Sequence, residues 1–164
     1  MKKAQLSYDV AVTMAVLFLF AIVFVIASFT YNKIADKMIE TGVVNSTNQT
    51  VTVLTAHKAT INRLDYIFFT LFIGLMLSII IASFFIPANS IFAFIYFIAL
   101  VVIVLTSSVL RYTWEKITEN GYFNTIATVN LPITNNIMSN LPIYITIVGF
   151  VAMVLLYAKP QQMY

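Results

Sequence analysis

Four long apolar runs constrain what this chain can fold into more than any other feature. They lie at Val10–Thr30, Tyr66–Ile86, Ile91–Leu110 and Leu141–Ala158. The first three contain no Asp, Glu, Lys, Arg or His, and each is close to the roughly 20 apolar residues that a helix needs to cross a hydrocarbon core. The sequence therefore predicts an all-α fold with four transmembrane helices in a single membrane domain.

The amount of charge supports the same prediction. Hydrophobic residues make up 61% of the chain and charged residues only 9%, too few to cover the exterior of a soluble domain of this size. The nine Lys and Arg residues are scattered and form no basic run of the kind that binds nucleic acid. We therefore expect an integral, multi-pass membrane protein whose natural solvent is the lipid bilayer.

The spacing of the runs predicts the topology. Only Pro87–Ser90 separates the second run from the third, which favours a tight antiparallel hairpin of these two spans. Four spans then place loops 31–65 and 111–140 on the same side of the membrane. Six Lys and Arg residues on that side against three on the other favour cytoplasmic loops, whereas the two leading lysines favour a cytoplasmic N-terminus, so both orientations stay open.

The sequence of the first loop predicts that helices 1 and 2 extend beyond the membrane. Segment 31–40 contains helix formers and no Pro or Gly, and segment 53–65 shows a heptad-like spacing of apolar residues. We predict that these extensions pack as an extramembrane antiparallel hairpin, with Lys33 near Asp65, and Asp36 and Glu40 near Lys58. The seam residues are Ala27, Tyr31, Ile34 and Met38 on the first helix and Leu54, His57, Ile61, Leu64 and Phe68 on the second. Six of them are also candidates for partner binding: Tyr31, Ile34, Met38, Leu54, His57 and Ile61.

The second loop contains a cluster of aromatic residues. The third helix is predicted to continue through 111–116 and to end near Asn120–Gly121. Trp114, Tyr122 and Phe123, with Tyr112, are typical of an interfacial belt, where an apolar ring and a polar tip are both satisfied. The alternative is that Trp114, Tyr122 and Phe123 form a partner-binding patch.

The motif Asn-Leu-Pro occurs twice, at 130–132 and 140–142. Each copy predicts a helix start with Asn as the cap and Pro in the first turn. The first copy would begin a short helix that ends near Asn140, with Ile133, Ile137 and Met138 on its apolar side. We expect this helix to lie along the membrane interface.

No pattern predicts catalysis, a cofactor or a metal site. The chain has no cysteine and one histidine, His57, for which a packing role on the seam is expected. Asp65 lies at the edge of a span and is predicted to be a solvated helix end, as are Glu115 and Glu119. Ionisable residues are absent from the spans, which argues against transport by one copy.

Small residues line the second span at Gly74, Ser78 and Ala82. Such a stripe lets helices approach closely, either inside the bundle or between copies in an oligomer.

The stretches Phe84–Phe92 and Pro132–Pro142 resemble small multispanning membrane proteins encoded by membrane-containing or tailed viruses. The similarity covers the C-terminal half of the chain. The resemblance implies a component of a virion or of its assembly, in a host cell or virion membrane, and it carries over no functional residues.

These features predict a non-enzymatic structural or scaffold subunit of a membrane-embedded assembly. Its partners would be other membrane or capsid-type protein subunits, bound through loops 31–65 and 111–140, and an oligomer is expected. One alternative is a holin-like pore lined in several copies by Asn89, Thr106, Ser107 and Ser108. Another is an accessory subunit of a respiratory or oxidase complex.

Overall fold

The protein is helical, and the residues described in the computed structural model contain no strand. The model describes residues 5–41, 48–85 and 90–158, with side chains for 11–41, 56, 60, 63–85, 94–156 and 158. The elements are α1 (Gln5–Glu40), α2 (Asn48–Phe85), α3 (Ser90–Thr118), α4 (Gly121–Thr125), a π-helix (Ile126–Asn130), α5 (Pro132–Ser139) and α6 (Leu141–Tyr157).

The first two helices are longer than a membrane is thick. α1 has 36 residues and α2 has 38, which at 1.5 Å per residue is about 55 Å each, against a hydrocarbon core of about 30 Å. No Pro interrupts either helix, and their glycines are limited to Gly74. The predicted continuation of the first helix beyond Thr30 and of the third helix through Lys116 is therefore confirmed.

Three helical segments are long and apolar enough to cross a membrane: Ala11–Glu40, Arg63–Phe85 and Phe94–Thr118. A fourth is obtained when Pro132–Ser139 and Leu141–Leu156, which meet at an angle of 67°, are taken together as one span. The protein is thus an all-α chain with three to four helices suited to a membrane.

The long helices are arranged in a ring in which sequence neighbours are not always spatial neighbours. Among the described residues, α1 packs against α2 and α3, and α6 also packs against α2 and α3. α2 and α3 make little contact with each other, although only four residues connect them. The expectation that they pack as a tight hairpin is therefore wrong. The two helices lie across a diagonal of the bundle, because α1 and α6 each pack against both of them.

One contiguous core runs through the bundle. α1 contributes a row of residues spaced by three and four, the repeat expected for the buried face of a helix. Phe24 meets Phe68 edge-to-face at 6.5 Å, and Phe72 meets Tyr144 in the same way at 5.6 Å. The buried row on α1 is Met14, Leu17, Ala21, Val25, Ser28 and Ala35.

The segment after α3 folds back over one end of the bundle, which we call the loop-side end. Phe29 of α1 contacts the rings of Tyr122 and Phe123, which both belong to α4. The π-helix and α5 follow, and α5 packs against α2 and α3. The opposite end is the one at which α2 ends and α3 begins.

Candidate functional site

The most unusual group in the structure is Asp65, near the start of the second span. Its side chain is only 3% exposed, so the prediction of a solvated helix end is wrong. One carboxylate oxygen accepts the backbone N–H of Ile133 at 2.9 Å, and the other accepts the backbone N–H of Thr134 at 2.6 Å and its hydroxyl at 2.7 Å. Three donors thus surround a buried acid.

These bonds place Asp65 at the N-terminus of α5. The first N–H groups of a helix have no partner within the helix, and the helix dipole favours a negative charge there. Asn130 was expected to cap this helix, but the cap position is Leu131, which supplies no side-chain bond. Asn140 does occupy the cap position of α6, as predicted, but its side chain makes no capping bond there. The cap of α5 comes instead from a residue 68 positions away in the chain.

Two further side chains hold the same segment. Trp114 of α3 donates its indole N–H to the side-chain oxygen of Asn135 at 2.9 Å. Tyr144 of α6 donates its hydroxyl to the side-chain oxygen of Asn136 at 3.0 Å. Four consecutive residues, 133–136, are therefore bound by α2, α3 and α6 at once. We call Asp65, Trp114 and Tyr144, together with residues 133–136, the clamp.

The position of Trp114 differs from the expected one. Its side chain is 0% exposed, so the ring is enclosed by protein and does not belong to an interfacial belt. The apolar side of α5 is also turned inward, because Ile137 and Met138 are buried on the bundle. The predicted bounds of this helix are confirmed, but its apolar side contacts protein.

The clamp has the chemistry of a structural device. None of the described lysines and arginines forms an ion pair with Asp65, and no group of three potential metal ligands exists among the described residues. All three donors at Asp65 are protein groups, so its acceptor capacity is directed at α5. A buried charge held only by hydrogen bonds makes the local structure strongly dependent on those bonds.

The predicted seam on α1 is rotated by one residue. Ser28 and Ala35 are buried, whereas Ala27 is exposed and Ile34 is 54% exposed. Tyr31 and Met38 are half-buried. The buried row of α1 therefore passes beside the predicted one, and Ile34 is left on the outer surface.

The half of the predicted seam that lies on α2 can be compared with the structure only at Leu64 and Phe68. Leu54, His57 and Ile61 belong to α2, but their side chains lie outside the described residues, as does that of Lys58. Leu64 is half-buried and Phe68 is buried, as the spacing predicted. The predicted roles of Leu54, His57 and Ile61 stay predictions.

The predicted ion pair of Lys33 with Asp65 is not formed, whereas the predicted pairs of Asp36 and Glu40 with Lys58 stay predictions because the Lys58 side chain lies outside the described residues. Lys33 lies over the ring of Phe29, 5.4 Å from its centroid, and Asp65 is bound by α5. The acids of the α3 extension pair within their own helix, Arg111 with Glu115 at 2.8 Å and Lys116 with Glu119 at 2.7 Å. Both pairs are exposed, and such pairs contribute about 1 kcal/mol or less.

The two remaining aromatic candidates pack on α1. Tyr122 and Phe123 both contact Phe29, yet Tyr122 is 72% exposed and Phe123 is half-buried. Tyr122 therefore presents most of its ring to the outside. Its predicted role in partner binding stays a prediction.

The candidate pore residues on α3 face different directions. Thr106 and Ser108 are exposed, while Ser107 is fully buried in the chain. Each hydroxyl donates to a carbonyl of its own helix, at 2.7–3.0 Å. The three residues do not form one polar face.

The small residues of the second span lie mostly on the outside. Gly74 and Ser78 are exposed, and a Cβ added at Gly74 would meet nothing within 4 Å. Ala82 is half-buried. Close packing inside the bundle therefore does not use Gly74 or Ser78.

The middle of the bundle contains a small apolar cavity of about 20 Å³. Among the described side chains that line the cavity, one donates a hydrogen bond to another helix. This bond is long, 3.5 Å from the Tyr96 hydroxyl to the carbonyl oxygen of Gly149. Leu100 packs directly on Gly149, where an added Cβ would overlap it. The lining residues are Met14, Leu75, Met76, Ile79, Tyr96, Leu100, Ile103, Ile145, Val148 and Gly149.

Sequence reasoning missed the clamp residues Asp65, Thr134, Asn135 and Tyr144. The available signal was weak: Pro132 begins a short helix that has no capping side chain at position 131, and Asp65 is an acid with no adjacent basic residue on its buried side. Comparisons of the chain with models of protein families, with curated proteins and with solved structures found no match.

Proposed function

We propose that this protein is a non-enzymatic structural subunit of a membrane-embedded assembly, bound to protein partners through loops 31–65 and 111–140. The observation that carries the proposal is a set of large apolar side chains that lie in these loops and stay uncovered. Ile34 and Ile39 are exposed on the extension of α1, and Tyr122 and Val129 are exposed in the second loop. Exposed apolar groups outside the hydrocarbon core are typical of protein interfaces.

The proposal includes four membrane crossings. Residues 141–158, which include α6, form the fourth, and α1 and α2 extend beyond the membrane as a hairpin. Contacts of Phe29 with Tyr122 and Phe123, and of Asp65 with Thr134, support a common side for the two loops. The chain contains no cysteine, so single cysteines introduced at Thr47, Asn124 and Gln161 can be labelled with a membrane-impermeant maleimide. Labelling of Thr47 and Asn124 from one side and of Gln161 from the other is expected.

We propose a host cell or virion membrane as the location of the protein, on the basis of its resemblance to small multispanning proteins of membrane-containing or tailed viruses. A virion membrane would supply capsid-type neighbours at a fixed ratio. Support for this part of the proposal comes from the resemblance alone.

The experiment that tests the function is gentle detergent extraction from the native source, followed by native mass spectrometry. A fixed ratio of this chain to other membrane or capsid subunits is the expected result. A homo-oligomer without partners would contradict the proposal and favour the pore. Co-purifying haem or quinone would favour the respiratory alternative.

Matched variants make the experiment specific to the loops. Ile34→Ala and Tyr122→Ala are expected to remove partner subunits from the complex while membrane insertion stays intact. Leu105→Ala is the control, because Leu105 is equally exposed but lies within the third span. Loss of partners in the Leu105 variant alone would move the interface into the membrane.

A further inference from the structure

We propose that α5 is a movable segment held closed by the charge of Asp65, and that loss of this charge releases α5 and uncovers Trp114. The proposal concerns one chain and does not depend on the proposed function. It rests on the backbone at both ends of α5, on the bonds that hold the helix, and on what lies beneath it.

Both ends of α5 are breaks in regular helix. The π-helix Ile126–Asn130 precedes it, and Leu131 has φ −129° and ψ 50°, which is not helical. Asn140 has φ −114° and ψ 15° at the 67° bend to α6. Short π-helical turns and non-helical residues at element ends are the positions at which segments commonly pivot.

Side chains of the long helices hold α5 between these breaks. Asp65 supplies the strongest of the bonds, since hydrogen bonds to an ionised group exceed those between neutral groups. Its carboxylate also occupies the positive end of the α5 dipole. Asp65→Asn removes the negative charge and replaces one acceptor oxygen with a donating amide, which leaves at least one of the N–H and O–H groups of Ile133 and Thr134 without a partner.

Few other charges act on this position. α5 and the π-helix contain no Asp, Glu, Lys, Arg, His or Tyr. From the helices around it, Tyr144 bonds Asn136, Arg111 pairs with Glu115, and Lys33 lies over Phe29. Arg63 and Tyr66, beside Asp65 on α2, are exposed. Because no described cation pairs with Asp65, the hold on α5 depends on hydrogen bonds that a single change can remove.

Two buried residues, Trp114 and Met138, can be used to detect this movement of α5. Trp114 is the only tryptophan in the chain, and its N–H is bonded to Asn135 of α5. Met138, on the buried side of α5, is fully enclosed. In a chain without cysteine, Met138→Cys provides a single thiol that reacts only when α5 moves.

The test compares the full chain with Asp65→Asn in phosphatidylcholine nanodiscs. Acrylamide quenching of Trp114 and the rate at which the Met138→Cys thiol reacts with N-ethylmaleimide are measured. Both are expected to rise several-fold in Asp65→Asn, with unchanged helix content by circular dichroism. Asp36→Asn, which removes a charge from an exposed position on α1, is expected to match the wild type.

A second variant guards against misfolding of the first. Thr134→Val keeps the charge of Asp65 and both backbone bonds and removes only the hydroxyl bond, so a smaller rise in both signals is expected. A folded Asp65→Asn protein with wild-type quenching and labelling would overturn the proposal. If Asp65→Asn loses helix content, wild-type signals in Thr134→Val would overturn it instead.

Discussion

The loop-side end and the middle of the bundle are held together in different ways. At the loop-side end, polar side chains of three helices bind consecutive residues of α5 through bonds of 2.6–3.0 Å. In the middle of the bundle, apolar side chains line a small cavity, and one long hydroxyl contact joins Tyr96 to Gly149. Lipid supplies no hydrophobic drive between helices, so packing and hydrogen bonds must specify the arrangement. The loop-side end has directional bonds for this purpose, whereas the described residues around the cavity rely on shape.

The strongest way to break this comparison is to replace Asp65 with Ala. Three buried donors would lose their acceptor, which we expect to lower the free energy of unfolding by about 3 kcal/mol or more. Thermal unfolding in detergent, followed by circular dichroism, measures the change. Asp36→Ala should leave the transition within about 0.5 kcal/mol of wild type, and an equal loss in both variants would contradict a special role for the loop-side end.

Trp114→Phe is expected to have the next largest effect. It removes the indole N–H bonded to Asn135 and leaves a void under α5, so a loss of about 2 kcal/mol is expected. Tyr122→Phe is the control, since it also removes one polar group from an aromatic ring but at an exposed position. Equal unfolding transitions for Trp114→Phe and wild type would show that neither the indole bond to Asn135 nor the volume of the ring stabilises α5.

These same residues show how much of the fold could be predicted from the sequence. Apolar runs locate the spans, and Pro132 locates the start of α5, because both signals are local. The partner of Asp65 lies 68 positions away, and no local pattern encodes that pairing. The seam on α1 was placed one residue off, because Ala27 and Ile34 have the same seven-residue spacing as Ser28 and Ala35. The diagonal placement of α2 and α3 depends on α6, so the short connection between them was misleading.

Glycine substitutions sharpen the comparison in the apolar middle of the bundle. Gly149→Ala would overlap Leu100, whose flexible side chain must move, so we expect a loss of about 1 kcal/mol. Gly74→Ala meets open space and is expected to gain up to about 1 kcal/mol from helix propensity. Opposite shifts in the unfolding transition are the expected pattern. A gain at Gly149 would mean that the cavity absorbs the displaced leucine.

Tyr96→Phe should have the smallest effect of the series. The hydroxyl contact of 3.5 Å is longer than a strong O–H···O bond, so we expect a loss of about 0.5 kcal/mol or less. The same unfolding assay applies. A loss as large as that of Trp114→Phe would mean that the apolar middle of the bundle also depends on a directional bond.

The ring order of the helices has a consequence for biosynthesis. α2 and α3 are synthesised one after the other and share α1 as a neighbour, but they acquire their second shared neighbour only when α6 follows. Until then, the faces of α2 and α3 that pack on α6 remain open to lipid or to the insertion machinery. A chain that stops short of α6 would therefore leave these two faces uncovered, and the bundle closes only when α6 is in place.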